Sequence, residues 1–332
     1  MSIPSPLPRE GIELIAIPSV FLLLAILAVI ARFYARSTSM SKRGISTDDY
    51  LIVASLVFTT AAVGLTYASV LDGGAGIHMV DLTEEQIAIS LKLLVPAPLV
   101  WVIATSLVKL SVLFFYITIF TMPMIRTAVF TVIALINGLV VAVLLETFLL
   151  CRPFEFTWNK TVPGGVCGDI KGAYLSTAIV NLAIDLAVVF LPMPVLWRLQ
   201  MPIGKKLAVS AILGLGLLIC GLTAARIESI LDLDLHDLTY SNVPDLLFGA
   251  LEIELGIINA CLPILGPLVK NFRPGPAFSR EQAKRMKVKS ASPQSSGNIK
   301  SGNYECLTDD MYPLGEVGSE ITSSENDLES GG

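Results

Sequence analysis

Residues Thr127–Leu150 read TAVFTVIALINGLVVAVLLETFLL, and the only charged side chain among them is Glu146. At 1.5 Å of rise per helical residue, a run of this length crosses a hydrocarbon core of roughly 30 Å. Comparable runs lie on both sides of it: Ile12–Ala35, Asp49–Leu71 and Leu91–Phe120 before, then Gly172–Trp197, Leu207–Leu231 and Leu246–Val269 after. The chain as a whole agrees. Of its 332 residues 53% are hydrophobic and 15% charged, with a mean hydropathy of +0.71, where soluble domains carry roughly a quarter charged residues. A disordered chain, a secreted disulfide scaffold and a nucleic-acid binder are excluded. Lipid leaves no water for open backbone groups, so the runs predict an all-α bundle of seven transmembrane helices over residues 12–270. They are continuous rather than alternating, which a membrane β-barrel would require.

Orientation follows from Lys and Arg, which favour the cytoplasmic side. Sixteen of the 23 fall on one side, among them Arg32, Arg36, Arg126 and the cluster from Lys270 to Lys300. Five fall on the other, and Lys109 and Arg226 lie inside spans. The N-terminus (1–11) is therefore expected outside and the tail (271–332) in the cytoplasm. That tail begins basic, suited to an anionic leaflet, then turns acidic and rich in Ser and Gly, a composition expected to stay disordered. The acidic connections at Asp72–Glu85 and Asp232–Asp237 fall outside, as does the glycosylation sequon at Asn159. No basic segment precedes span one, which is expected to act as its own signal anchor in the plasma membrane or another secretory membrane. Cys151 and Cys167 share the fourth connection, on the oxidising side. A disulfide is the natural reading, and two unpaired thiols are the alternative.

Several landmarks come in a fixed order: Asp48-Asp49-Tyr50-Leu51, Gly74-Ala75-Gly76-Ile77-His78, the Lys109–Tyr116 stretch KLSVLFFY, Cys151-Arg152-Pro153 with Trp158 and Cys167, Asn181 and Asp185 before Leu191-Pro192-Met193-Pro194, and Cys261-Leu262-Pro263-Ile264-Leu265-Gly266-Pro267. Together they resemble the fungal rhodopsin-domain family of seven-span integral membrane proteins over about residues 12–270. This family includes receptor-like proteins of pathogenic fungi and membrane proteins of the satratoxin-cluster type. The resemblance implies an N-out, receptor-like bundle, some relatives of which lie in secondary-metabolite gene clusters. Others carry a cysteine-rich module before span one; no Cys precedes Cys151 here, so functions tied to that module are not implied. Gly266 also stands where relatives often hold a basic residue.

Ionisable groups inside a membrane are costly, so each is a candidate for function. Lys109, Asn137, Asp185 and Asn259 fall near mid-span, while Glu146, Arg226, Glu252 and Glu254 fall in the outer third. Asn181 shares a helix face with Asp185, four residues on. The simplest arrangement pairs Lys109 with Asp185 and Arg226 with Glu252, leaving Glu146 and Glu254 for the outer mouth. Such pairs serve either as ties between helices or as the floor of a ligand or ion site. Asp48 and Asp49 follow Ser46 and Thr47 at the start of span two, where a cap and negative charge suit the helix dipole. The alternative for them is contact with Arg36. Pro96, Pro98, Pro192, Pro194 and Pro263 mark expected kinks.

Retinal needs a span-seven Lys for its Schiff base, and Leu246–Val269 has none, so no cofactor is expected. His78 and His236 are the only histidines, too few for a zinc hydrolase. With Asp72, Asp81 and Asp237 they read as loop and helix-end residues, a loose metal site being the alternative. No catalytic group and no metal site is assigned. The leading reading is a receptor-like membrane protein sensing a small-molecule or surface cue, with the tail as the surface for a cytoplasmic signalling partner. A membrane enzyme or accessory factor of a secondary-metabolite pathway is the alternative, with Glu146, Asp185, Glu252 and Glu254 as available acids. A transporter ranks third, because no internal repeat is visible.

Overall fold

In the computed structural model, the residues described are 8–38, 46–119, 122–159, 161–194, 203–234 and 237–272. The Ser/Gly-rich tail beyond 272, His236 and the sequon's Lys160 lie outside them. Seven helices are long and apolar enough to cross a membrane. They comprise α1 (Arg9–Thr38), α2 (Thr47–Leu71), α3 with α4 (Glu84–Leu93 and Pro96–Ile119), α5 (Pro123–Leu149), α6 (Ile170–Phe190), α7 (Ile203–Leu231) and α9 (Val243–Phe272). The short helix α8 (Leu238–Ser241) precedes the last span.

The boundaries have local causes. Thr83 caps α3, with its hydroxyl accepting from the Gln86 amide at 3.4 Å while its own amide donates to the Gln86 side chain at 3.1 Å. The third span therefore starts earlier than Leu91 and is interrupted at residues 94 and 95. Pro96 restarts it at the first helical position, where a missing N–H costs nothing. Pro96 and Pro98 thus begin a helix rather than kink one. Pro192 follows the end of α6 at Phe190, with Pro194 just beyond, so these two also mark a boundary. Pro263 does lie within a helix, as does Pro18 of α1.

Helix α4 occupies the middle of the bundle, packed on α2, α5, α9 and α6. Val102, Ala104 and Leu113 of α4 are fully buried with Ile52, Val129 and Ile257 of its neighbours. The outward surfaces are apolar as well: Leu23, Leu27 and Ile30 of α1 and Phe130, Val141 and Leu145 of α5 are exposed. This is the pattern of a protein bathed in lipid. Because lipid tails are as apolar as Leu, packing and interhelical polar contacts must hold such helices together.

One end carries the disulfide. Strand β1 (Cys151–Arg152) pairs antiparallel with β2 (Val166–Cys167), and Cys151 is bonded to Cys167 across 16 positions. The hairpin is tied to the bundle by the Gly168 amide donating to Leu150 O at 2.8 Å. At the same end the loop after α2 is stitched to α8: the Gly76 amide donates to Thr239 O at 2.9 Å and the Thr239 hydroxyl to Ile77 O at 2.8 Å. Gly76 has φ +94° and lies against the start of α1, where a Cβ would sit 3.0 Å from the Gly11 amide nitrogen. A side chain is excluded there on both counts.

Candidate functional site

A cavity of about 190 Å³ lies beneath the hairpin, between α2, α4, α5, α6, α7 and α9. Its walls are largely Leu, Val, Ile and Ala, with Leu150, Cys151 and Thr157 at the roof. Hydroxyl and amide side chains such as Thr66, Ser69, Thr177 and Asn242 are interspersed, and four titratable groups join them: Glu146 of α5, Tyr174 of α6, Arg226 of α7 and Asp245 of α9. Trp101 of α4 completes it, its ring centre 4.0 Å from Arg226 Cζ. Such a cation–π contact gains strength where water is excluded.

From this cavity a chain of charges runs to mid-bundle. Arg226 Nε meets Asp245 Oδ1 at 2.7 Å, and its Nη1 lies 3.7 Å from Glu252 Oε2. The other Glu252 oxygen accepts from Asn181 Nδ2 at 2.9 Å and Thr105 Oγ1 at 3.3 Å, and lies 3.8 Å from Lys109 Nζ. Lys109 Nζ closes on Asp185 Oδ1 at 3.0 Å and donates to Asn181 Oδ1. Thr223 of α7 donates to Asp185 at 3.3 Å. A second cavity of about 70 Å³ borders Lys109, Asp185, Glu252, Tyr116 and Asn259. Burying charges is tolerated here because each of the five has an opposite charge beside it, and Lys109, Asp185 and Glu252 also have neutral hydrogen-bond partners.

The expected pairs therefore meet, but not as separate couples. Glu252 is shared between both cations, and the closer partner of Arg226 is Asp245. Asp245 lies one residue before the apolar run that defines span seven in the sequence, so it escapes a search confined to spans. Asn137 does not join the network. The buried stripe of α5 is Val129, Val132, Ile136, Leu139 and Val143, and Asn137 lies on the exposed side, donating to Ile133 O at 2.8 Å. Glu254 is not at the mouth either. Two residues beyond Glu252, it points to another side of the helix. It is fully buried, with no hydrogen bond to either oxygen among the described residues. Glu146 lines the cavity with no ion pair among the described residues.

At the opposite end, Asp48 and Asp49 cap and bridge at once. The Ser46 amide donates to Asp49 at 3.1 Å. Arg36 reaches Asp48 at 2.6 Å and Asp49 at 2.9 Å. Arg32, 1% exposed, binds both carboxylates, holding Asp49 at 2.9 Å, and donates to Ala260 O of α9 at 2.7 Å. Ser111 of α4 donates to Asp48 O at 2.8 Å. Four spans are joined here. The sequence signal for Arg32 was its position inside an apolar run rather than beyond it.

The remaining landmarks sit at the disulfide end. His78 Nδ1 is bonded to Asp237 Oδ2, and its ring stacks on Tyr240 at 4.2 Å between centres. Desolvation raises the Asp237 carboxyl, but the hydrogen bonds from His78 and the Met79 amide, with the charge of His78, together outweigh it and hold the group below the usual range. Trp158 packs edge-on against Phe154 at 5.1 Å. Asn159 bonds Glu155 at 3.1 Å and accepts from the Thr161 hydroxyl at 2.6 Å.

The fungal rhodopsin domain matches residues 31–271. Fugralins biosynthesis cluster protein 2 of Gibberella zeae is 29% identical over 196 residues, 54% of this chain and 48% of that protein. Polyenoic acids biosynthesis gene cluster protein Ba17b of Metarhizium anisopliae is 27% identical over 276 residues, 79% and 75% of the two chains. Receptor GIN3 of Arthrobotrys oligospora is 25% identical over 275 residues, 81% and 65%. The chain thus spans about half the length of the first of these relatives and about two thirds of the receptor. No solved structure matches it. With seven membrane-spanning helices and the domain extending from the end of the first span through the last, the chain belongs to the fungal rhodopsin-domain family of multi-pass membrane proteins.

Proposed function

We propose that the chain is a receptor-like membrane protein that senses a small ligand in the cavity beneath the disulfide hairpin. The observation that carries this reading is the continuity of Asp245, Arg226, Glu252, Lys109 and Asp185 from cavity wall to mid-bundle. Glu252 is divided between two cations. A ligand that changes the position of Arg226 changes that division, and with it the packing of α4, α6 and α9. A bistable arrangement of this kind is a common element of switches, provided the ligand prefers one state. In this reading the chain lies in the plasma membrane with its N-terminus and hairpin facing outward, an orientation that the 16-to-5 division of basic residues supports. The tail and the Arg32 end face the cytoplasm, where a signalling partner would bind.

A second reading has its own support: two relatives are named as biosynthesis cluster proteins. Under it the chain serves a secondary-metabolite pathway, and the cavity holds an intermediate. Deleting the gene and profiling both surface or nutrient responses and secreted metabolites separates the two. Loss of a response with an unchanged metabolite profile supports the receptor. An altered profile with intact responses supports the pathway factor.

A further inference from the structure

The cavity beneath the hairpin has largely apolar walls, yet three buried polar atoms on it have no hydrogen-bond partner among the described residues: Trp101 Nε1, Arg226 Nη1 and Thr157 Oγ1. Trp101 is 8% exposed. An indole N–H and a guanidinium can only donate, and a buried donor left unpaired is costly. Two of the three orphans therefore call for an acceptor. Gly249 of α9 keeps space open beside them. A Cβ at that position would lie 3.6 Å from Trp101 Nε1 and 3.7 Å from Arg226 Cζ, in ordinary contact with both.

Charge narrows the chemistry of that acceptor. Arg226 already faces Asp245 at 2.7 Å and Glu252 at 3.7 Å, and Glu146 stands on the same wall. A carboxylate ligand would meet three acids around one guanidinium. An amine would pair with Glu146, yet it would set a second cation beside Arg226 and leave Trp101 Nε1 and Arg226 Nη1 still without an acceptor. An uncharged oxygen meets neither objection. Size narrows it further: a dry cavity of roughly 150 Å³ holds benzene, so about 190 Å³ suits a ligand, or the end of one, of about eight non-hydrogen atoms.

We propose that this cavity binds a small, uncharged lipophilic carbonyl compound, its oxygen accepting from Trp101 Nε1 and Arg226 Nη1 and its carbon body lying among Leu65, Leu94, Val143 and Ile253. The inference rests on the ligand-sensing reading and names the class of ligand for that site. A ketone, lactone or ester satisfies it equally, since each presents the same oxygen.

The test is calorimetric titration of the full chain in lipid nanodiscs, with empty nanodiscs subtracted, using four probes of matched size: 2-nonanone, n-nonane, octanoate and octylamine. The expected result is that 2-nonanone binds about tenfold more tightly than nonane, and more tightly than either ion. Trp101→Phe keeps the ring and loses the donor, so it should cost the ketone about five- to tenfold and leave nonane unchanged. Gly249→Leu fills the space beside both donors and should abolish ketone binding without touching either. Equal affinity for nonane and 2-nonanone overturns the proposal, as does a ketone affinity indifferent to Trp101→Phe. Tighter binding of octanoate or octylamine overturns the ligand class but leaves the sensing reading in place. Should Trp101→Phe not fold, undiminished ketone binding by Gly249→Leu overturns the proposed position. The sensing reading itself is judged separately, by the responses of the deletion strain.

Discussion

Lys109 Nζ of α4 and Asp185 Oδ1 of α6 meet at 3.0 Å in the middle of the bundle, each less than 10% exposed. Among the described residues Asp185 has only this cation within reach, whereas Lys109 has Glu252 as well, at 3.8 Å. The two truncations should therefore differ. Lys109→Met strands Asp185 and leaves Glu252 with Arg226 alone at 3.7 Å, and removing one member of a buried pair typically costs about 3–5 kcal/mol. Asp185→Leu leaves Lys109 with Glu252 and should cost less. The double variant should recover part of the loss but not all, because Asn181 Oδ1 still loses the donor that Lys109 supplied. Folded yield by size-exclusion chromatography measures all three. Losses that simply add would show the residues to be independent.

Arg32 should not be replaceable by Lys. Its guanidinium serves Asp48, Asp49 and Ala260 O in one forked geometry, which a point ammonium cannot reproduce. Arg32→Lys should lower the thermal midpoint nearly as far as Arg32→Met. A Lys variant as stable as the parent chain would show that charge alone matters at this position.

The Cys151–Cys167 bond closes a 16-position loop, and in the chain-entropy model such a loop contributes about 3 kcal/mol. Cys151→Ser and Cys167→Ser should each lower the unfolding midpoint, and the double variant should be no worse than either. Both thiols free to alkylation in unreduced, unfolded protein would contradict the bond.

The Asp237–His78 contact should give a local acid sensitivity. The folded Asp237 carboxyl lies below its unfolded range, so its contribution is present above the unfolded range and lost as pH falls through the folded value. Hydrogen exchange at the Met79 amide, which donates to Asp237 at 2.9 Å, should therefore lose protection in acid. Asp237→Asn should remove that dependence. Equal acid sensitivity in the variant would place its source elsewhere.

Much of the architecture was legible because apolar runs of spanning length admit few alternatives. The Lys109–Asp185 contact was legible for a related reason: few charges lie at mid-span, so matching depth nearly determines the partner. Rotation about the helix axis is harder to read, since an apolar run carries little periodic contrast when lipid and core are both apolar. That is why Asn137 proved to face outward and Glu254 to lie away from the cavity. Asp245 and Arg32 are the converse case. Each sits where an apolar run ends, and each gains its role only when helices distant in sequence bring partners to it.

Glu252 links the cavity to the mid-bundle charges. The most direct test of that link is to complement a deletion strain with Glu252→Gln, after confirming that the variant is monodisperse and reaches the membrane. Gln keeps the shape and the acceptor facing Asn181 but removes the charge shared by Arg226 and Lys109. The expected result is a folded, correctly located chain that fails to restore the lost response. Full restoration of that response by Glu252→Gln would contradict the account.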